Sequence, residues 1–281
     1  MTSELLRKAT KVADAARASG ALVPLDTALT HLNGEQGTSF ELRHLLSATP
    51  KHLRAAGPKP NPFRPWDRRL EVEKIGETHA VTLNKFPVQA GHMLLITQGW
   101  QPQTGWLSID DWCALAQINA TTTGLWFFNS GPDAGASQPH RHLQLLPRAA
   151  GEPICARQDW FQNCADGATD LLDDPLLRSC RVVPLRPNPT GDILHQAYLS
   201  LARDLELGTP VHDGRPLGAY NILLSQNWMA IVRRRMEGIR GFSVNALGFA
   251  GSLLSTEASD RAWIKRSGPE ALLQAVVEDV G

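Results

Sequence analysis

The stretch from Asn129 to Pro147 constrains this chain more than any other part of it. It reads Asn-Ser-Gly-Pro-Asp-Ala-Gly-Ala-Ser-Gln-Pro-His-Arg-His-Leu-Gln-Leu-Leu-Pro, a glycine-rich run that passes into an alternating segment. On a strand, alternate side chains share a face. His140, His142 and Gln144 therefore project together, while Leu143 and Leu145 turn the other way, into a core. Such a strand needs a sheet with one packed face and one reactive face. A neutral imidazole can attack phosphorus when one ring nitrogen is free and the other donates a hydrogen bond. The phosphoramidate that results divides one hard displacement into two easier ones. Gln144 can donate to a non-bridging oxygen without adding negative charge. Exposed N–H groups of Gly131, Gly135 and Ala136 are expected to cradle phosphate, because small residues let the backbone approach. Asn129 and Ser137 add neutral donors. The same His-x-His spacing also suits a metal pair or a buried polar pair. A cupin-type metal pattern wants a nearby glutamate, however, and none follows within six residues. Joined together, the loop and the strand favour phosphate chemistry.

The remainder of the chain narrows the setting. Twenty-eight basic and 28 acidic residues cancel, which argues against a dedicated nucleic-acid protein. Small anionic substrates need only a local cluster of cations. None of the four cysteines forms a C-x-x-C pair, and no 18-residue apolar run or signal peptide is read, so a cytoplasmic protein with reduced thiols and no membrane span is expected. Helical spacing of apolar residues predicts helices over 3–18, with Ser3 as N-cap, over 108–122, and over 192–207 with Asp192 as cap. Further helices are expected near 245–254 and 268–278. Strands are expected at 79–83, 92–97, 125–129 and 142–146, and a hairpin from 220–224 and 228–232. The four prolines of 57–66 make that segment extended or a loop. This order of helices and antiparallel pairs predicts an α+β fold. The chain divides into a catalytic half, 1–165, and a C-terminal half, 166–281, with the connection in the less regular 150–190.

At the active-site strand the chain resembles the histidine triad superfamily. Gly-x-x-Ala-Gly, His-x-His-x-Gln and Leu-Pro are similar to its catalytic segment, and Gln144 stands where the hydrolase branch has a third histidine. That replacement is typical of the transferase branch, which includes hexose-1-phosphate uridylyltransferases and diadenosine tetraphosphate (Ap4A) phosphorylases, also called ATP adenylyltransferases. Pro60-Asn61-Pro62-Phe63, Leu83-Asn84-Lys85-Phe86-Pro87, Gly91 to Thr97, Gly135 to Gln144, Tyr220 to Leu224 and Val244 to Gly251 resemble the phosphorylases in order. The uridylyltransferase branch often carries Cys-x-x-Cys and has proline where this chain has Arg141, so it is the weaker match.

The resemblance implies an antiparallel sheet with flanking helices, built as two related halves in one chain, a monomeric pseudo-dimer. It also implies phosphorolysis of Ap4A by phosphate to ATP and ADP through an adenylyl-histidine. His142 is then the nucleophile and His140 supports and orients it. His92 joins a network behind the site, and Asn84 sits where the superfamily contacts the ribose. Asn129, Ser137 and Gln144 match phosphate-contacting positions, and Gly135, Ala136 and Gln138 bind substrate beside them. Lys59, Lys85, Arg141 and the run Arg233-Arg234-Arg235 are candidates to meet polyphosphate charge, with Lys59 favoured. No tightly bound cofactor and no protein metal site are expected; magnesium would arrive with the nucleotide. The alternatives are a uridylyltransferase-like enzyme and a nucleotide-binding protein without turnover.

Overall fold

The computed structural model describes residues 3–47, 61–149, 151–167 and 174–277. Lys59 lies outside the described residues. The chain begins with α1 (Glu4–Ala18), capped by the Ser3 hydroxyl, which accepts the Leu6 N–H. A hairpin follows, β1 (Thr27–Asn33) and β2 (Ser39–Leu45). Then come β3 (Glu71–Ile75), β4 (His79–Leu83), β5 (Met93–Thr97), α2 (Ile109–Asn119), β6 (Gly124–Asn129) and β7 (His142–Pro147). The second part holds α3 (Gln158–Ala165), β8 (Cys180–Pro184), α4 (Gly191–Asp204), and the hairpin β9 (Ala219–Leu224) and β10 (Trp228–Arg234). It closes with β11 (Gly238–Ile239), β12 (Phe242–Ser243), α5 (Ala246–Phe249), β13 (Ser252–Ser255), α6 (Arg261–Ser267) and α7 (Pro269–Ala275).

Eight strands form one antiparallel sheet in the order β3-β4-β5-β7-β6-β9-β10-β8. The expected α+β class holds. One face packs α1, α2 and α4 over Val81, Leu95, Trp126, Leu143, Leu145 and Ile222. The other face is apolar toward both ends. Leu125, Phe127, Leu223 and Ala230 lie under α3, α5, α7 and the small sheet β1-β2-β13; Ala80, Leu94 and Ile96 lie under Phe63 and Trp66. Between those two apolar clusters stand the polar side chains of β7. Ladders cross residue 165 twice, β6 with β9 and β2 with β13.

Several expectations are corrected. The helix at 191–204 is capped by Thr190, whose hydroxyl accepts the Ile193 N–H, and not by Asp192. The expected helix at 245–254 is one turn, α5, followed by β13, which pairs in parallel with β2. The β1–β2 hairpin, β8 and α3 were not expected. β1 and β8 are edge strands, and neither buries alternate residues cleanly.

Candidate active site

His142 opens β7, and its ring is held from its own chain. Nδ1–H donates to the carbonyl of His140 at 2.8 Å. That bond fixes the tautomer, so Nε2 carries the lone pair; Nε2 makes no hydrogen bond among the described residues. The ring is 4% exposed, and burial, ahead of every other influence, pushes its pKa down to about 4. It is therefore neutral at pH 7. Phe63 lies against it, with centroids 5.4 Å apart, and also against His140 at 5.6 Å, forming a dry roof.

Two Asn-x-Phe turns hold the other histidines in the same way. Asn84 Oδ1 accepts the Phe86 N–H at 3.1 Å, so its amide nitrogen faces His92 Nδ1, 3.0 Å away, and donates to it. His92 must then carry its proton on Nε2, which donates to Gln144 Oε1 at 2.9 Å. This relay leaves the Gln144 amide nitrogen to the cleft as a donor. Burial, followed by the neighbouring His142 ring, holds His92 at about 4 against the opposing Gln144 bond. Asn61 repeats the arrangement. Its Oδ1 accepts the Phe63 N–H at 2.9 Å and its amide donates to His140 Nδ1 at 2.9 Å. His140 Nε2–H donates to the Thr97 carbonyl at 2.8 Å. Burial again lowers the His140 pKa. All three imidazoles are neutral; the tautomers of His92 and His140 follow from amides whose orientation a backbone N–H decides, and that of His142 from the His140 carbonyl.

Around this floor lies a cleft of about 2070 Å³, lined by His142, Gln144, His92, Asn84, Lys85, Asn129, Gly135, Ala136, Ser137 and Gln138, among others. It is about twice the size of a pocket for a drug-sized ligand. His140 sits behind that surface, fully buried, in a supporting position. The Asn129 side-chain oxygen accepts from Asn221 at 2.8 Å and from the Ala246 N–H at 2.9 Å, which joins the cleft to α5. Gly135 adopts φ +82° against Val244 and Asn245, where a side chain would collide. Both Asn84 side-chain groups are engaged, with His92 and Phe86.

Other expectations fail on geometry. The N–H groups of Gly135 and Ala136 donate to Pro132 and Gly131 carbonyls, 2.8 and 2.9 Å away, because the loop closes into a tight turn. The N–H groups of Gly131, Ser137 and Gln138 in this loop make no hydrogen bond among the described residues. Arg141 points through the sheet to the opposite side, where it pairs with buried Asp111 at 3.0 Å. Strand alternation demands this, since Arg141 lies between two residues of the reactive face. Arg234 is buried, donating to Asn221 and to the carbonyls of Met236, Glu237 and Val276. Arg233 reaches the Leu205 carbonyl and Arg235 the Ala275 carbonyl. None of the three lines the cleft, whereas Lys85 does.

Gln103 was not foreseen. It is 1% exposed and clamps two strands: its oxygen accepts the His142 N–H at 2.8 Å, and its nitrogen donates to the Asn129 carbonyl at 2.7 Å. It lies in a loop with no periodicity to mark it. Asn61 could have been found by the repeated Asn-x-Phe spacing. Among the described residues no group of three or more His, Cys, Asp or Glu is placed to hold a metal, and no helix is long and apolar enough to cross a membrane.

Residues 1–155 match the family of the Ap4A phosphorylase N-terminal domain, and residues 176–278 that of the ATP adenylyltransferase C-terminal domain. Diadenosine tetraphosphate phosphorylase 2 of Saccharomyces cerevisiae is 29% identical over 224 residues, covering 69% of this chain and 68% of the relative. The crystal structure of yeast Ap4A phosphorylase Apa2 superposes with a TM-score of 0.75, covering 99% of both chains at 22% identity, a likeness of fold. The same yeast protein in complex with Ap4A gives a TM-score of 0.71 at 22% identity, covering 98% of this chain and 95% of that one. With a phosphorylase domain family matched over more than half its length, and a neutral histidine at the floor of the cleft, this chain belongs to the Ap4A phosphorylase family.

Proposed function

We propose that this chain is an enzyme that converts Ap4A and inorganic phosphate into ATP and ADP, reversibly, through an adenylyl group carried on His142. The observation that supports this most is the state of His142: Nδ1–H is engaged by the His140 carbonyl and Nε2 is uncommitted beside the cleft. Nε2 gives its lone pair to one α-phosphorus. The bond from that phosphorus to the bridging oxygen breaks, and its electron pair leaves with ATP. A phosphate oxygen then attacks the same phosphorus, the N–P bond returns its pair to Nε2, and ADP departs. While adenylylated, the ring keeps its Nδ1–H, and the positive charge it gains is met by the His140 carbonyl. In a site this dry the cationic ring is costly, which makes it a good leaving group in the second step. ATP is itself a good leaving group, so fixed donors serve better than a strong acid. The Gln144 amide, the Ser137 and Gln138 N–H groups and Lys85 fill that role. Magnesium comes with the polyphosphate as part of the substrate. The protein acts in the cytoplasm as a monomer, a reading supported by its four free thiols and by one sheet that joins both parts of the chain.

Mass spectrometry of the protein incubated with Ap4A but no phosphate should show one AMP added to His142. Adding phosphate should then release ADP, with ATP and ADP formed in equal amounts overall. Cleavage that does not depend on phosphate would make the chain a hydrolase. Turnover of a UDP-hexose with a hexose 1-phosphate would make it a uridylyltransferase.

A further inference from the structure

The nucleophile strand is prolonged, before β7 begins, by a short ribbon. Arg141 N–H donates to the Gln101 carbonyl at 2.9 Å and Gln103 N–H to the Pro139 carbonyl at 2.8 Å, and Pro102 pairs with His140. Opposed residues and their alternate neighbours share a face. Trp100, two residues before Pro102, lies against His140 and lines the cleft together with His142, Thr104 and Gln138; His142 itself is paired with Ile96 of β5. Trp100 is 45% exposed. Its ring meets His140 in a T-shaped contact, centroids 5.4 Å apart at 79°, which covers at most one indole face. Its indole N–H makes no hydrogen bond among the described residues. Trp66, which also lines the cleft, is engaged instead: its N–H donates to Glu71 at 2.6 Å and the Arg68 guanidinium covers its ring at 4.8 Å. A large aromatic face left open in the same cleft as the reacting nitrogen is a surface that a flat ligand covers favourably.

The adenylyl group is held on His142 between the two half-reactions and has to be shielded from water. The other nucleotide leaves and re-enters past it. A half-exposed platform at the rim suits the half that exchanges rather than the half that is retained. Resting on the adenylyl-transfer reading above, we propose that Trp100 stacks the purine base of the departing nucleoside triphosphate, and of ATP as acceptor in the reverse direction. Stacking of this kind reads the flat ring and not its edge, so any purine nucleoside triphosphate is accepted ahead of a pyrimidine one.

The test compares two reactions of the whole protein. ADP–phosphate exchange uses only the transferred nucleotide, while Ap4A synthesis from ADP and ATP uses both. Trp100→Ala should raise KM for ATP in synthesis, and for Ap4A in phosphorolysis, by roughly 5- to 100-fold, the range that loss of one base–aromatic stack produces. Trp100→Phe should recover most of this, and both variants should leave ADP–phosphate exchange unchanged. An unaltered KM for ATP would overturn the assignment. So would an equal rise in KM for ADP during exchange, which would place the transferred base on the indole. Wild-type protein that neither exchanges nor acquires AMP would refute the adenylyl-transfer reading itself, and this proposal with it. Because Trp100 is half exposed, its replacement opens no core cavity.

Discussion

The neutrality of the nucleophile makes a quantitative demand on stability. In an unfolded chain His142 titrates near 6.5, and in the folded protein burial holds it at about 4. Between those values the unfolded chain binds a proton that the folded chain refuses. Stability is therefore complete above about pH 7 and falls as pH drops through the window. At pH 5 this one ring removes about 2 kcal/mol relative to pH 8 by linkage. His142→Asn keeps a donor for the His140 carbonyl and abolishes the titration. Urea denaturation of wild type and variant at pH 8 and pH 5 should give a pH-dependent loss about 2 kcal/mol smaller in the variant. His92 titrates in the same window in both proteins and cancels to first order. Equal losses in the two proteins would show that the His142 ring is not held neutral by burial, and the argument for its free Nε2 lone pair in a dry site would fall. NMR of the wild-type ring should likewise place its protonation near pH 4.

Two further substitutions test the scaffold around that ring. Gln103→Leu leaves the buried His142 N–H without its acceptor, at a cost of about 1–3 kcal/mol; the melting temperature should fall and kcat should drop more than KM changes, whereas an effect on KM alone would refute a positioning role. Gly135→Ala forces a side chain onto φ +82°, 2.8 Å from the Val244 oxygen, at about 1–3 kcal/mol; a variant as stable as wild type by thermal melting would show that this turn is not rigid.

The residues at which reading from sequence succeeded share a property: their partners are close along the chain. The alternation from His140 to Leu146 announces which side chains face the cleft and which face the core, and the α1 stripe with its Ser3 cap needs no distant contact. The Gly135 and Ala136 N–H groups were misjudged because a glycine-rich run reads as open whether or not it closes on itself; both spend their donors within the turn. The arginines were misjudged because charge says nothing about direction. Arg141 was a candidate by proximity to His142, yet the same alternation that places His142 in the cleft sends its neighbour to Asp111.

Pattern alone was enough to establish an α+β chain with a strand presenting His142 and Gln144 on one face beside a glycine-rich loop, since period-two alternation is a property of any extended backbone. Pattern could not establish the state of those side chains. Asn61 reaches across 79 positions to His140, Gln103 crosses 39 to the His142 N–H, and His92 crosses 52 to Gln144. The Asn61 and Gln144 bonds set the tautomers of His140 and His92, the Gln103 bond holds the backbone of His142, and packing around them removes the water that would otherwise let the rings ionise near their ordinary value. Hydrogen bonding and desolvation depend on what surrounds an atom in space, and that environment exists only once distant segments have come together.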